Sequence, residues 1–302
     1  MAFGIDPKVD YAFKNLFGSP ANTFILIDLL NAVLQLDRPI TDVVIQNPFG
    51  SKATDADKLY VVDVLASDDR GWQFLVEMQM VPRFEFRDRV MYYWARHFSA
   101  QLAAGEGYDE LKPVFMINFV NGSVFPEIAG HHSTFHVREA RQPDVRMTQL
   151  LEIHFVELTK FGKGLPDLRD AMDQWCYLLR HGEYLEPATM PPELQSEPVR
   201  RAVEALDTMK QINEHRILYE ARHKAALDAL ASQWTEEKVL EKGEAIGILK
   251  GKLMALLQIR FGDAGVPLAD RVRAVRHRYE LERLERVLAD ATTLAEFEKA
   301  FP

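Results

Sequence analysis

Two acidic residues interrupt apolar segments within residues 58–80, where the chain reads KLYVVDVLASDDRGWQFLVEMQM. The segments around Asp63 and Glu77 are rich in β-branched and aromatic residues, which predicts two strands joined by a tight turn. If the hairpin is centred on Arg70, Asp63 lies directly across from Glu77, with about 4.5–5.5 Å between their Cβ atoms. Strand alternation puts Gln79 on the same face as Glu77. The pattern therefore predicts two carboxylates side by side on one face of a sheet.

Two like charges opposed in a sheet are destabilising unless something neutralises them, and a divalent cation is the simplest way to do so. Mg²⁺ prefers oxygen ligands and usually takes one or two carboxylates, with waters and a substrate phosphate completing its shell. Such an ion activates water and stabilises the charge that develops on a phosphodiester. The spacing alone leaves a second interpretation open, in which both acids lie near the sheet edge, exposed or paired with arginine.

The elements around the two acids predict an α/β fold, with a mixed sheet flanked by helices. Residues 7–36 show helical periodicity, and so do residues 84–104, which are followed by two glycines. The strand-like segments are 41–49, 58–66, 72–80, 111–120, 133–139 and 151–161. The order of these elements is helix, three strands, helix, strand and then further strands.

The C-terminal part of the chain is predicted to be all helical. A proline-rich joint at 186–198 suggests a boundary between a domain over 1–185 and a helical region over 186–302. Three glycines four residues apart, Gly243, Gly247 and Gly251, form a smooth helix face. We interpret this face as a packing element through which the chain forms a homo-oligomer; the alternative is a frayed helix.

Composition narrows the classes of function. The formal net charge is −9, but binding to DNA needs only a local basic surface, so the acidic total does not exclude it. The single cysteine excludes an internal disulfide framework and a multi-cysteine zinc site. We see no secretory leader and no run of about 18 apolar residues that could span a membrane, and we expect a cytoplasmic protein.

Four stretches in order resemble a known family. DYAFKNLFG, YVVDVLASD, FLVEMQ and RVMYYWARHFSAQLAAGEGYDELKPVFMINF cover about the first 120 residues. Their arrangement resembles the PD-(D/E)XK nuclease superfamily, in which an acid in the second strand precedes an E-x-K motif in the third. It is more closely similar to the Rpn family of recombination-promoting nucleases, which are also labelled transposases. The resemblance implies a nuclease core followed by helices.

The resemblance also implies a site. Asp63 matches the second-strand metal-binding acid and Glu77 the third-strand acid, while Gln79 falls where most of the superfamily has lysine. The Rpn family itself commonly carries E-x-Q. A neutral amide can hydrogen-bond a water but cannot supply a cation, so the metal would have to carry more of the electrostatic stabilisation.

The implied function is that of a DNA endonuclease dependent on Mg²⁺ (or Mn²⁺), which promotes recombination or mobile-element activity. In this interpretation Asp63 and Glu77 hold the metal, and Gln79 positions the water that attacks phosphorus. The alternative is a catalytically weak or inactive DNA-binding or assembly protein that keeps the nuclease fold.

Three further residues are candidates for a supporting role. Asp10 matches an acid of the family in the first helix, although it could simply favour the helix dipole and pair with Lys14. Arg89 and Tyr93 share one stripe of the helix after the third strand, from which arginine could contact phosphate and tyrosine could orient a ligand. The alternative is a solvated arginine edge, with Tyr93 helping to fill the core.

Overall fold

The structure, a computed structural model, describes residues 4–46, 62–83, 85–275, 278–291 and 293–301. Its contacts divide the chain into two compact units, Met1–Ala229 and Leu230–Pro302. The predicted boundary after residue 185, between the nuclease-like domain and the helical region, is a different division of the chain, and it stays a prediction. Helices on both sides of that boundary belong to the first compact unit.

In the described residues, six strands form one mixed sheet in the order β1-β2-β3-β4-β6-β5. The strands are β1 Val44–Gln46, β2 Val64–Ser67, β3 Gln73–Gln79, β4 Val114–Val120, β5 His132–Phe135 and β6 Leu151–Glu157. Strands β1 to β3 pair antiparallel, β3, β4 and β6 pair parallel, and β5 is antiparallel to β6. The end of the strand predicted at 41–49 and the start of that at 58–66 lie outside the described residues.

Helices cover both faces of the sheet, as parallel strands require. The helices are α1 Asp10–Phe17, α2 Thr23–Leu34, α3 Phe86–Ser99, α4 Ala171–His181, α5 Glu197–Gln211, α6 Asn213–Phe261, α7 Val266–Ala274, α8 Arg278–Asp290 and α9 Leu294–Glu298. Helices α1, α2, α4 and α5 share one hydrophobic core with the sheet, and α3 packs on the opposite face. The mixed sheet with its flanking and C-terminal helices confirms the predicted fold class.

The helix predicted over 84–104 is shorter than expected, because α3 ends at Ser99. The chain then turns, and the side chain of Gln101 bonds the backbone of Lys112 in both directions, with N···O distances of 2.9 and 3.1 Å. This clamp fixes the segment that leads into β4, which a continued helix could not do.

The buried stripe of α1 determines where the polar residues of that helix lie. The ring of Phe13 packs between the rings of Phe17 and Phe119, at centroid distances of 4.7 and 6.1 Å. Because all three rings are fully buried, they anchor α1 on the sheet through β4. Asp10 and Lys14 lie along the edge of this stripe and are partly buried, so they have a fixed position relative to the strands.

In the described part of the chain, no single helix is long and apolar enough to cross a membrane. The bent pair formed by Asp10–Phe17 and Pro20–Leu34 passes that test only when both segments are taken together. Many of its apolar residues lie in the core of the first unit.

The turn between β2 and β3 fixes the register of the hairpin. Asp68 N donates to Trp72 O at 3.1 Å, and the three-residue loop between them ends at Gly71, whose φ is +77°. The carboxylate of Asp68 accepts from the backbone N–H groups of Arg70 and Trp72, both at 3.0 Å. The four strand pairs, from Val64↔Val76 to Ser67↔Gln73, are symmetrical about residue 70, which confirms the predicted register.

We predict that Gly71→Ala destabilises the protein by about 1 kcal/mol, since an L side chain at positive φ is strained. A Cβ there would meet only ordinary contacts with Lys112, so the conformation alone accounts for the loss. Urea denaturation measures the free energy of unfolding. Gly162→Ala is the matched control, because Gly162 has open space and no positive φ. Equal stability of the two variants would contradict the prediction.

Candidate active site

The carboxylates of Asp63 and Glu77 meet where the backbone ladder between β2 and β3 ends. The last backbone pair of the ladder is Val64↔Val76. Beyond it, Asp63 N donates to Glu77 Oε2 at 3.2 Å, and Met78 N donates to Asp63 Oδ2 at 2.8 Å. Side chains thus continue the hydrogen bonding of the hairpin, and the two predicted acids lie next to each other.

Both carboxylates are nearly shielded from water. Glu77 is 9% exposed, and the side chain of Asp63 is 10% exposed. Burial and, after it, the neighbouring charge of Asp63 raise the pKa of Glu77 to about 8, against a lowering by Arg89. Burial likewise raises the pKa of Asp63 to about 6, although the Met78 N–H and Lys14 oppose this. The site therefore favours the protonated forms of the two carboxyl groups more than water does, unless a cation compensates their negative charges.

Helix α1 contributes a cation to the site. Lys14 Nζ lies 2.6 Å from Asp10 Oδ1 and 3.2 Å from Asp63 Oδ1. Burial lowers the pKa of Lys14, but its interactions with Asp10 and Asp63 outweigh this effect and raise the pKa overall. Asp10 also lies in the first turn of α1, where an acid favours the helix dipole. Asp10 is thus connected to the candidate site through Lys14.

The side chain of Gln79 is held at both ends of its amide. Its Nε2 donates to Val81 O at 2.7 Å, and its Oε1 accepts from the guanidinium of Arg89. The guanidinium carbon of Arg89 lies 4.9 Å from the centre of the Phe86 ring and 5.9 Å from that of Tyr93. Gln79 and Arg89 are therefore brought together next to Glu77, as partners of each other.

Tyr93 lies one turn beyond Arg89 on α3 and is half-buried. Burial raises the pKa of its hydroxyl, Arg89 lowers it, and the charges of Glu77 and Asp63 raise it. The phenol is thus within electrostatic reach of both acids and stays protonated at neutral pH. All six predicted site residues lie around one point between α1, the hairpin and α3.

Sequence reasoning missed two polar residues of this region. For Lys14 the sequence predicts only a surface pair with Asp10. Asn118 is the strand partner of Glu77 on β4 and is fully buried. Its Nδ2 donates to His154 O at 3.0 Å, while its Oδ1 has no hydrogen-bond partner among the described residues. An asparagine inside the apolar segment VFMINFV was the sequence signal that could have found it.

The residues present fit a hard divalent cation such as Mg²⁺ or Mn²⁺. Within the described ranges no group of three or more His, Cys, Asp and Glu side chains could hold a metal. Two carboxylates are nevertheless what Mg²⁺ commonly takes from a protein, the rest of its shell being water or substrate. The buried pair and the unpartnered oxygen of Asn118 one strand away are oxygen donors of the kind that such a cation prefers.

We predict that Glu77→Gln stabilises the metal-free protein increasingly as the pH rises. With its raised folded-state pKa, Glu77 contributes stability that is fully present below its ordinary pKa of 4.5 and lost as the pH rises through about 8. Glutamine keeps an oxygen acceptor for Asp63 N and does not titrate. We expect a gain of up to about 5 kcal/mol at the alkaline end of that window, since the rise from 4.5 to about 8 spans about 3.5 pKa units and one unit corresponds to about 1.4 kcal/mol.

Urea denaturation at both ends of the window measures this gain. The matched control is Glu193→Gln, because Glu193 is exposed, and it should change stability little at either end. An advantage of Glu77→Gln that shrinks as the pH rises would contradict the prediction.

The chain matches the model of a known family. No curated protein and no solved structure matches the chain. The model of a family described as PD-(D/E)XK nuclease family transposase matches residues 7–235, which is most of the chain and includes every residue of the candidate site. This match confirms the resemblance that the four motifs carry. The chain belongs to the PD-(D/E)XK nuclease family transposases.

Proposed function

We propose that this protein is an endonuclease that hydrolyses phosphodiester bonds in DNA with the help of Mg²⁺ or Mn²⁺. Its family gives it a nuclease- or transposase-like role. The observation that carries the proposal is the buried pair of Asp63 and Glu77, in which one carboxylate accepts from the backbone of the other residue. A fold rarely keeps two adjacent buried acids unless they bind a cation or exchange a proton.

Asp63 and Glu77 are the residues that would hold the metal. Each has one carboxylate oxygen fixed by a backbone N–H, which sets the direction of the other oxygen. A divalent cation bound there supplies a Lewis acid for the attacking water and for the charge on the phosphodiester. Lys14 holds Asp63 from the side of α1, so that the acid does not have to rearrange when substrate binds.

Helix α3 supplies the groups that face the substrate. Arg89 and Tyr93 lie on it next to the acids, and the protonated hydroxyl of Tyr93 can donate a hydrogen bond to a phosphate oxygen. Gln79 belongs to the same constellation through its bond with Arg89. Cationic and neutral donors on one helix suit a phosphate backbone despite the acidic total charge.

The word transposase in the family description supports a role in the movement of DNA. We propose that the cleavage serves recombination or the movement of DNA elements, and that the protein acts on DNA in the cytoplasm. A second copy of the chain is the proposed partner of the C-terminal helices. Gly243, Gly247 and Gly251 are exposed on α6, with open space where a Cβ would stand, so another helix could approach closely.

We predict that the purified protein nicks supercoiled plasmid in Mg²⁺ or Mn²⁺, and that Asp63→Asn and Glu77→Gln each lower the rate by about 10²-fold or more. Asp69→Asn is the matched control, since this acid lies in the turn of the same hairpin and its side chain is 55% exposed. It should cut like the wild type. Gel densitometry of nicked and linear DNA measures the rates.

Calorimetric titration with Mn²⁺ tests whether Asp63 and Glu77 bind the metal. Together with the cleavage assay, it separates a metal-dependent endonuclease from a DNA-binding protein that does not cut. We expect binding by the wild type and by Asp69→Asn, and much weaker binding by Asp63→Asn and Glu77→Gln. Cutting that survives both substitutions would contradict the proposed site. A wild type that binds DNA without cutting it in either metal would favour the non-catalytic DNA-binding alternative.

A further inference from the structure

Hydrolysis of a phosphodiester beside Asp63 and Glu77 places a third negative charge next to two acids. The extra charge that develops on phosphorus oxygens in the transition state is stabilised best by fixed positive charge or hydrogen-bond donors close to it. The proposed function rests on such a step, and this inference rests on the proposed function. The described residues offer two cations at this point, Lys14 and Arg89.

Lys14 is already committed to carboxylates. Its ammonium lies 2.6 Å from Asp10 Oδ1 and 3.2 Å from Asp63 Oδ1. Two acids in direct contact largely neutralise one ammonium, so Lys14 organises the site more than it attracts a phosphate. Its place on α1 also puts it on the side of Asp63, away from Arg89 and the helix that carries it.

Arg89 is a cation with neutral partners. In the part of the chain that the structure describes, its guanidinium donates only to the amide oxygen of Gln79 and forms no ion pair. The rings of Phe86 and Tyr93 lie at 4.9 and 5.9 Å from the guanidinium carbon. Its charge is therefore not cancelled by a contacting carboxylate, although Glu77 is near enough to feel it.

Gln79 determines where this guanidinium lies. The bond from Gln79 Nε2 to Val81 O, at 2.7 Å, fixes which end of the amide faces Arg89. The carbonyl end, an acceptor only, then holds one N–H of Arg89. The guanidinium has five N–H donors in a planar fork, so the other donors can bind two phosphate oxygens.

We infer that Arg89 contacts the phosphate that is cleaved and stabilises its developing charge, and that Gln79 is the positioning residue that holds Arg89 in place. The cation of this site then comes from helix α3. The sequence position of Gln79 suggests that it positions the attacking water. In the structure both ends of its amide are bonded to protein groups, so we assign it the role of holding Arg89.

Single-turnover cleavage of plasmid in Mg²⁺ tests the role of Arg89. We expect Arg89→Met to lower the rate constant by about 10²–10³-fold, as removal of one transition-state donor does elsewhere, and Arg89→Lys to recover part of the loss. The control is Arg87→Met, two residues earlier on α3. Arg87 is exposed, bonds Val124 O and Glu127, and should be replaceable without loss.

A double-mutant cycle tests the role of Gln79. If Gln79 acts by holding Arg89, Gln79→Leu lowers the cleavage rate when it is introduced into the wild-type protein. Introduced into the Arg89→Met variant, it causes no further loss. Gln79→Lys, which places an ammonium two residues from Glu77, should raise the rate of Arg89→Met by about tenfold or more. Additive losses, or a rescue by Gln79→Leu as large as that by Gln79→Lys, would overturn the assignment of Gln79.

The phosphate contact has a readout that does not depend on cleavage. Fluorescence anisotropy with a short labelled duplex in Ca²⁺ measures binding, which we expect Arg89→Met to weaken by about fivefold to tenfold and Arg87→Met to leave unchanged. Cutting that is lost in Asp63→Asn but kept in Arg89→Met overturns this inference alone. If the wild type does not cut, the proposed function is overturned, and the binding measurement alone then tests the phosphate contact. Weaker binding of the duplex by Arg89→Met supports this contact. Unchanged binding overturns it.

Discussion

One electrostatic constraint organises the first compact unit: two carboxylates stand side by side, nearly out of water, at the end of the β2–β3 ladder. Their burial and their mutual repulsion both oppose ionisation. Two backbone N–H groups of the hairpin, those of Asp63 and Met78, donate hydrogen bonds to the carboxylates and stabilise their ionised forms. Two cations also favour the ionised acids: Lys14 from α1, on one face of the sheet, contacts Asp63, and Arg89 from α3, on the other face, lowers the pKa of Glu77. Helices on both faces are thus needed to balance charge at one point, as well as to cover apolar strands.

The hydrophobic packing and the candidate site depend on the same side chains. The Phe13 ring that anchors α1 on β4 lies one residue before Lys14, so the position of the ammonium follows from the core. On the opposite face, the ring of Phe86 meets Phe155 of β6 edge-on, with centroids 6.0 Å apart, and also supports the guanidinium of Arg89. A change that loosens either core therefore displaces a cation, which weakens the site without touching an acid.

The features that could be predicted from the sequence are those that depend on short stretches of chain. The register of the hairpin follows from a turn of three residues and from strand alternation, so the meeting of Asp63 with Glu77 could be predicted without knowledge of the rest. The partners of Gln79 could not, because Arg89 arrives from a helix whose tilt depends on packing over the whole sheet. The same holds for the bond of Lys14 to Asp63. Asn118 becomes the neighbour of Glu77 only through a parallel strand pairing, which a long connection sets.

The pairing of an amide on β3 with an arginine on α3 has a physical advantage in a half-buried site. An ammonium is compact and strongly hydrated, so burial costs it hydration and lowers its pKa, whereas a guanidinium stays charged and is more weakly hydrated. Its cost is the length of the side chain, which leaves many conformers open. Gln79 and the rings of Phe86 and Tyr93 restrict those conformers, and the backbone oxygen of Val81 restricts Gln79 in turn. The neutral residue beside Glu77 is thus compatible with a cationic site, because the charge can come from another element and be fixed by the amide.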